Sequence, residues 1–460
     1  VQAVAATDVK AWITAVLITC AGFWSIAHLR WDPQARLSHD SIRYYAGAVS
    51  ILESGRYTDI DGKPQQFWPP GLSLLYAALS RLTGRDPLML VPLVDCTAYL
   101  LTMTALFLLG RIAAMRWWVV AIMMAAVAWN SHYISMHNKM WSEPLGVTLL
   151  VVTLCCAIGA LRFPHRAIPF LVAACAAAAA AVMLRYAFVA VVPVLMAVAL
   201  LARRPWLALS PLLAPAPALL AMSLLGASRG NRTVAVQSVP WTENVAETLR
   251  LADQFLPQRL TLGVGGVLVI LLWIGAGVAF AFRARGRAGA DALRVALLWC
   301  AAYAAFLPFA QMFMVPSFPL NLRILTPLYV GLVIVTATAI EAAISHRRNV
   351  AVLLALPLAI TVARAARLVV APPPLRSFQC MDRQWYIDAL RRQRPAGTIA
   401  SNAQGTVWLA LRRPVLSEPP AQTYIWIDPR IACEGVVENA TVPMPAGGTM
   451  GDGIAITQAQ

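Results

Sequence analysis

The sequence predicts a polytopic α-helical membrane protein with about eleven transmembrane helices and a small α/β domain at its C-terminal end. Of the 460 residues, 59% are hydrophobic and only 13% are charged, and the mean hydropathy is +0.66. This composition is too apolar for an ordinary soluble globular protein. Apolar runs recur at about the 20-residue length that a helix needs to cross roughly 30 Å of hydrocarbon. Each run must be helical, because lipid offers no hydrogen-bond partner to the backbone.

Eleven apolar runs are predicted to cross the membrane. They cover residues 11–29, 87–109, 117–135, 144–161, 168–184, 187–202, 206–226, 260–282, 294–313, 324–342 and 350–370. The fifth and sixth runs are short and could form one helix, so the predicted number of transmembrane helices is accurate to about one. Residues 71–83 are apolar but too short to cross, and we interpret them as an interfacial helix.

Basic residues predict the orientation of these helices. With a cytoplasmic N-terminus, the cytoplasmic links contain Arg111, Arg116, Arg162, Arg166, Arg203, Arg204, Arg283, Arg285, Arg287, Arg294, Arg347 and Arg348. The links of the other side contain most of the acids, as the positive-inside rule expects. The formal charge of +16 is therefore explained by topology and by anionic lipid head groups, and it requires no nucleic-acid partner.

The first long polar interval, residues 30–86, follows the first predicted transmembrane helix and lies outside the cytoplasm. Its segment Ser38-His39-Asp40 is typical of a helix start, and apolar residues follow at helical spacing. The pattern predicts an amphipathic surface helix over residues 40–53 that ends at Gly55. Asp40 has two interpretations. It is either the N-cap of this helix, a role that Asp fills well, or a base for a substrate hydroxyl.

Three more charged residues stand at the outer ends of predicted transmembrane helices. Glu143 is either a favourable charge at a helix N-terminus or a second carboxylate facing the same cavity as Asp40. Arg185 and Arg323 either extend to the membrane interface or bind a lipid-linked phosphate. An unpaired charge inside the membrane is costly, so these side chains are expected at a polar surface or cavity.

The C-terminal part is no longer a membrane sequence. Three consecutive prolines, residues 372–374, separate a membrane module of residues 1–370 from residues 371–460. Strand-like runs at 398–400, 415–416 and 424–427 alternate with helical runs at 382–392 and 406–411, which predicts a small α/β domain. The predicted topology sends this domain outside, where disulfides persist, so Cys380 and Cys433 are predicted to form one.

Five segments carry a resemblance to a known family. The most specific is the first loop, HDSIRYYAGAVSILESGRY followed by FWPPGLSLL, and the others are WSEPL, LRYAFVAVVP, NLRILTPLY and IASNAQGTVWLALRRPVL. Together they resemble the GT-C superfamily of membrane glycosyltransferases, near the bacterial relatives of protein mannosyltransferases and of the lipid A aminoarabinose transferase. The resemblance covers most of the chain. It implies a multi-pass protein of the bacterial inner membrane, with a cytoplasmic N-terminus and with the first loop and C-terminal domain in the periplasm.

The resemblance implies an inverting transferase for a hexosyl or pentosyl group. Its donor is a polyprenyl-phosphate sugar, and its acceptor is a lipid, glycan or protein of the cell envelope. Carried over by residue, Asp40 is the catalytic base, Glu143 is a second catalytic carboxylate, and Arg323, Arg185 and Lys139 bind the donor phosphate. The substrate cavity is predicted to contain His39, Arg43, Tyr44, Tyr45, Trp68, His137 and Trp141. Its aromatic residues either stack on sugar faces or belong to an interfacial belt.

No cofactor is predicted. The chain has no Gly-rich phosphate loop, zinc-ligand spacing or nucleophile elbow in a convincing context. The first loop has Asp40-Ser41 where many mannosyltransferase relatives have Asp-Glu, and an Asp-x-Asp motif appears only at Asp59-Ile60-Asp61. A divalent metal is therefore possible but not favoured.

Two other classes of protein fit parts of the sequence. A transporter or flippase of lipid-linked saccharide would also need a lined cavity with arginines, but no base. An O-antigen polymerase or ligase shares the lipid-phosphate chemistry, but the acidic first loop and the α/β tail fit it less well. The acids cluster in outer loops and the centres of the predicted helices carry no obvious ion relay, which favours the transferase.

Overall fold

The structure is a computed structural model. It describes residues 2–28, 38–65, 68–137, 139–226, 275, 279, 289–313, 322–344, 397–401, 407–408, 411–416, 423–427 and 454–458. The predicted transmembrane helix at 350–370, the domain boundary near 370 and the predicted Cys380–Cys433 disulfide lie outside the described residues. The predicted helix at 260–282 also lies outside them, apart from residues 275 and 279.

Helices form most of the described chain. They are α1 Gln2–His28, α2 His39–Ser54, α3 Gly71–Thr83, α4 Val91–Ile112, α5 Trp117–Ala128, α6 Ser131–Met136, α7 Glu143–Arg162, α8 Ala167–Leu184, α9 Val191–Leu201, α10 Ala216–Leu224, α11 Ala290–Phe313 and α12 Leu322–Ile344. Short 3₁₀ turns occur at Pro87–Leu90, Pro164–Arg166, Tyr186–Ala190, Pro205–Leu207 and Ser210–Leu213.

Within the described ranges, seven helical stretches are long and apolar enough to cross a membrane. They are Val9–Ala27, Pro87–Ile112, Glu143–Arg162, Pro164–Leu184, Pro205–Leu224, Ala290–Ala310 and Arg323–Ile344. All seven coincide with predicted transmembrane helices. Two shorter apolar helices, Trp117–Ala128 and Tyr186–Leu201, overlap two further predictions. The protein is therefore a multi-pass membrane protein.

Helix α7 lies at the centre of the bundle and packs against α4 and α8, while α11 packs against α12. Two glycines permit close approach of large side chains. A Cβ atom on Gly146 of α7 would lie 2.3 Å from the Phe188 ring, and one on Gly331 of α12 would lie 2.6 Å from the Trp299 ring. Both distances are below any normal contact, so these glycines set how closely the neighbouring elements pack.

The first loop forms the two helices that the sequence predicts, α2 and α3. Gly55 ends α2 with a φ of 70°, and its N–H donates to the Ile51 carbonyl. The N-cap of α2 is Ser38, whose hydroxyl accepts from the Ser41 N–H. Asp40 lies within the first turn instead. The interpretation of Asp40 as the N-cap is thus wrong, because Ser38 already fills that role two residues earlier.

The predicted fifth and sixth transmembrane helices do not merge. Helix α8 ends at Leu184, and Arg185 has extended backbone with φ −158° and ψ 126°. The 3₁₀ turn Tyr186–Ala190 then leads into α9. The Arg185 N–H still donates to the Ala181 carbonyl at 2.9 Å, and the chain leaves the helix after this residue.

Four strands of the C-terminal part form one sheet: β1 Ile399–Ser401, β2 Val415–Leu416, β3 Thr423–Ile427 and β4 Ile454–Gln458. Their order is β2-β1-β3-β4, with β1 parallel to β2 and β3, and β4 antiparallel to β3. Strand β4 was not predicted. The sheet lies on the first loop, where the Val415 N–H donates to the Ile60 carbonyl at 3.0 Å. Buried residues of both parts share one hydrophobic cluster.

Candidate active site

Four charged residues from separate elements meet in one row of ion pairs. Arg323, at the start of α12, contacts Asp40 in the first turn of α2, with Nη2 2.5 Å from Oδ2. The same guanidinium lies with Nε 2.8 Å from Oε1 of Glu143, the first residue of α7. Arg185 also pairs with this Glu143 oxygen. The structure therefore brings together the two predicted carboxylates and two of the three predicted phosphate ligands.

Glu143 is the centre of this row, and its side chain is only 2% exposed. A buried carboxylate is tolerated when it is paired, and Glu143 has a guanidinium on either side. Its place at the N-terminus of α7 adds the favourable end of the helix dipole. Although burial alone lowers the pKa of Arg185, the adjacent Glu143 raises it above its ordinary value. The Arg185 guanidinium therefore remains charged.

Trp141 connects Arg323 to the start of α2. Its ring lies 4.5 Å from Cζ of Arg323 and 4.6 Å from Nζ of Lys139. Its indole Nε1 donates to the Ser38 hydroxyl at 2.6 Å, and Ser38 caps the helix that carries Asp40. One side chain thus holds two cations by cation–π contact and anchors them to α2.

Lys139 is the third cation of the site. Burial and, to a smaller extent, the neighbouring Arg323 lower the pKa of its amine to about 8, and Asp40 partly opposes this shift. Two carboxylates and three cations leave the cluster with one excess positive charge when Lys139 is protonated. Such a cluster attracts an anion, and its guanidiniums match the oxygens of a phosphate or carboxylate.

Hydroxyl groups extend the row behind Glu143. Tyr44 donates to the Ser142 hydroxyl at 3.2 Å, and Ser142 donates to Oε2 of Glu143 at 3.4 Å. Burial raises the pKa of Tyr44, so the phenol stays protonated and acts as a donor. Ser142 occupies the N-cap position of α7, but its hydroxyl makes no capping bond because Tyr44 and Glu143 engage it.

Three residues predicted to line the substrate cavity are buried. Tyr44 is 2% exposed, and Tyr45 and His137 are 0% exposed, so none of these rings presents an open face to a sugar. His137 packs against Tyr133 and Tyr99, and burial lowers its pKa to about 4. These three residues therefore belong to the protein interior, a placement that helical spacing alone could not distinguish from lining a cavity.

Arg43 and Trp68 lie together on the first loop. The guanidinium of Arg43 pairs with Asp59, and its Cζ is 5.2 Å from the centre of the Trp68 ring. Asp61 in turn pairs with Lys63 at 3.6 Å.

In the part of the chain that the structure describes, no group of three or more His, Cys, Asp or Glu side chains could hold a metal ion. The side chain of His39, another predicted cavity residue, lies outside the described part.

Several residues that support this site could not be recognised from the sequence. From the sequence, Ser38 and Ser142 are ordinary helix-capping residues. Tyr303 lies within a transmembrane helix, and its hydroxyl donates at 2.8 Å to the carbonyl of Ile324, the residue after Arg323. Arg412, in the C-terminal part, contacts Tyr45 of the first loop. Only three-dimensional packing joins these residues to the charged row.

No protein-family profile matches the chain, and no curated protein is similar to it in sequence. Solved structures do match. ArnT from Cupriavidus metallidurans in its apo state is 15% identical with a TM-score of 0.54, over 89% of this chain and 86% of that chain. ArnT bound to undecaprenyl phosphate is 14% identical with a TM-score of 0.54, over 88% and 85%.

A second group of similar structures comes from Archaeoglobus fulgidus. Its oligosaccharyltransferase AglB, solved with an inhibitory peptide and a dolichol-phosphate, is 11% identical with a TM-score of 0.52. The match covers 88% of this chain and 64% of AglB. At identities this low, the structural match establishes the fold alone, and ArnT and AglB share the fold of the GT-C superfamily. The protein described here therefore has the GT-C fold.

Proposed function

We propose that this protein is an inverting glycosyltransferase that uses a polyprenyl-phosphate-linked sugar as donor. One observation carries the proposal: two carboxylates, Asp40 and Glu143, meet two guanidiniums, Arg185 and Arg323, at one end of a membrane helix bundle. The fold adds support, because ArnT has been solved with undecaprenyl phosphate and AglB with a dolichol-phosphate.

The cations account for binding of the donor phosphate and for departure of the lipid phosphate. As the bond between the sugar and the phosphate oxygen breaks, negative charge accumulates on that phosphate. Arg323, Arg185 and Lys139 are close enough to one another to stabilise this charge in a partly buried site. Because their positions are held by Glu143 and Trp141, little reorganisation is needed during the reaction.

Asp40 is proposed as the base. Its carboxylate is partly exposed, whereas that of Glu143 is nearly covered, so Asp40 is the more accessible to an acceptor hydroxyl. Asp40 would take the hydroxyl proton as the oxygen attacks the anomeric carbon opposite to the leaving phosphate, which inverts the configuration. Glu143 would hold Arg185 and Arg323 at the spacing that the donor phosphate requires.

The proposed location is the periplasmic side of the bacterial inner membrane. The site lies at the start of α7 and α12 and at the end of α8. Arginines mark the other end of the described helices: Arg111, Arg116, Arg162, Arg166, Arg203, Arg204 and Arg294. By the positive-inside rule that end is cytoplasmic, which puts the site and the C-terminal sheet on the opposite side. The acceptor is accordingly a lipid, glycan or protein of the cell envelope.

The test is sugar transfer by purified protein in lipid nanodiscs, with synthetic polyprenyl-phosphate sugars as donors. Asp40→Asn should lower turnover by about 100-fold or more, because a general base contributes that much. Glu53→Gln, an exposed acid on the same helix, is the matched control and should retain turnover. Unchanged turnover in Asp40→Asn would remove Asp40 as the base. Movement of a labelled lipid across vesicles, with no transfer from any donor, would identify a flippase instead.

A further inference from the structure

Arg412 joins the C-terminal part of the chain to helix α2. Its Nη2 donates to the Tyr45 hydroxyl, and its Cζ lies 4.4 Å from the Tyr45 ring and 5.0 Å from the Trp408 ring. The Trp408 and Tyr45 rings are perpendicular to each other, with ring centres 5.8 Å apart. Tyr45 is fully buried, so these contacts cover a core residue of the first loop.

The hydroxyl of Tyr45 continues this connection to helix α4. It donates to Oδ2 of Asp86 at 2.7 Å. The other oxygen of Asp86 accepts from the Leu88 N–H at 2.8 Å and so caps the turn that leads into α4. Arg412, Tyr45 and Asp86 therefore form one chain of cation, phenol and carboxylate that ties the C-terminal sheet, α2 and α4 together.

The backbone of Arg412 has a left-handed conformation that glycine adopts more easily. Its φ is 55°, in the left-handed region that few non-glycine residues adopt. Its N–H donates to the Trp408 carbonyl at 2.7 Å, as expected of the residue that ends a helical turn. Glycine is the usual residue at such a position because it adopts this φ without strain. An arginine is found here, and its guanidinium contacts Tyr45.

Helix α2 carries two residues of the candidate site near its start. Asp40 contacts Arg323, and Tyr44 donates to Ser142 beside Glu143. Tyr45 lies in the turn after Asp40, so a shift of Tyr45 moves the carboxylate with it. A displacement of about 1 Å at a reacting group can lower a rate by about 100-fold.

We propose that Arg412 is a positioning residue: it holds α2 through Tyr45 and thereby keeps Asp40 in place opposite Arg323. On this proposal, the C-terminal part of the chain helps to position the proposed base. The consequence for turnover rests on the proposed transferase function, whereas the effect on α2 itself does not.

The first test compares Arg412→Gly with Arg413→Ala in the full-length protein. Arg412→Gly removes the side chain and relieves the backbone, so thermal stability should be retained. Turnover at saturating donor should nevertheless fall about tenfold, while the KM for the donor changes by less than about twofold. Arg413→Ala removes an equal charge from a neighbour that contacts the Gly397 carbonyl, and it should behave as wild type. Arg412→Lys keeps the cation and should restore much of the turnover.

The second test needs no substrate. Amide hydrogen exchange in residues 39–54 should be faster in Arg412→Gly and in Tyr45→Phe than in wild type, and unchanged in Arg413→Ala. Equal exchange and equal turnover in Arg412→Gly and wild type would overturn the proposal. If wild type transfers no sugar but Arg412→Gly still makes exchange in α2 faster, the proposed transferase function is wrong, whereas the link between Arg412 and α2 is supported.

Discussion

The two ends of the helix bundle use the same kinds of charged residue in opposite ways. At one end, Glu143 is almost fully buried between Arg185 and Arg323, and Asp40 completes the row. At the other end, Arg116 pairs with Glu341, and their side chains are 48% and 12% exposed. Asp291 and Arg294 also pair there and remain about one-third exposed.

Burial explains why these ends should respond differently to mutation. An exposed ion pair gains little, because water solvates both charges nearly as well when they are apart. Breaking a buried pair leaves a charge that neither water nor a partner stabilises. The fold is therefore expected to depend more on the buried pairs around Glu143 than on the exposed pairs of the arginine-rich end.

The largest expected effect comes from Glu143. Glu143→Gln should leave Arg185 and Arg323 without their shared carboxylate and lower stability by about 3–5 kcal/mol, together with most of the transfer activity. Asp291→Asn, the corresponding change in the more exposed pair at the other end, should cost less than about 1 kcal/mol. Both can be measured by thermal unfolding in detergent. Equal losses in the two variants would contradict the distinction between the ends.

Trp141 should give a smaller effect. Trp141→Leu removes the ring that holds Arg323 and Lys139, along with the bond to Ser38. Cation–π contacts contribute about 0.5–2 kcal/mol, so donor KM is expected to rise by up to about 30-fold. Trp206→Leu, a highly exposed tryptophan elsewhere in the chain, should leave the donor KM unchanged. A donor KM unaffected by Trp141→Leu would show that Arg323 holds its place without the ring.

The smallest expected effect is a pH dependence from Lys139. Its folded-state pKa is lowered to about 8, so the amine loses its charge as pH rises through that value. Donor KM should therefore rise several-fold between about pH 7 and pH 9. Lys139→Arg should flatten this profile, because arginine keeps its charge throughout this range. A profile that persists in Lys139→Arg would assign the titration to another group.

Lys139 also links pH to stability, with a sign that follows from its lowered pKa. Between the folded-state pKa of about 8 and the ordinary value near 10.5, the unfolded chain binds more protons than the folded chain. Stability from this group alone therefore increases with pH across that window. As pH rises through this window, activity should fall while the stability contribution of Lys139 increases. This difference distinguishes a loss of donor binding from unfolding.

The first loop shows which structural features a local sequence pattern predicts and which it does not. Helix α2, its end at Gly55 and helix α3 all follow from spacing and from residue type. The N-cap does not, because Ser38 and Asp40 are both good capping residues and only the folded chain shows which one bonds to a backbone N–H. Burial of Tyr44 and Tyr45 was likewise not predictable, since an aromatic on an amphipathic helix can face either lipid or protein.

The seven transmembrane helices that the structure describes follow from the sequence alone, because hydropathy is a local property and a single apolar segment satisfies its own backbone hydrogen bonds in lipid as a helix. The meeting of the charges was decided by tertiary structure. Asp40 and Arg323 are 283 residues apart in the chain, and Tyr45 and Arg412 are 367 apart. Whether a charge is exposed at the interface or buried against a partner depends on how the helices pack, and no local pattern carries that information.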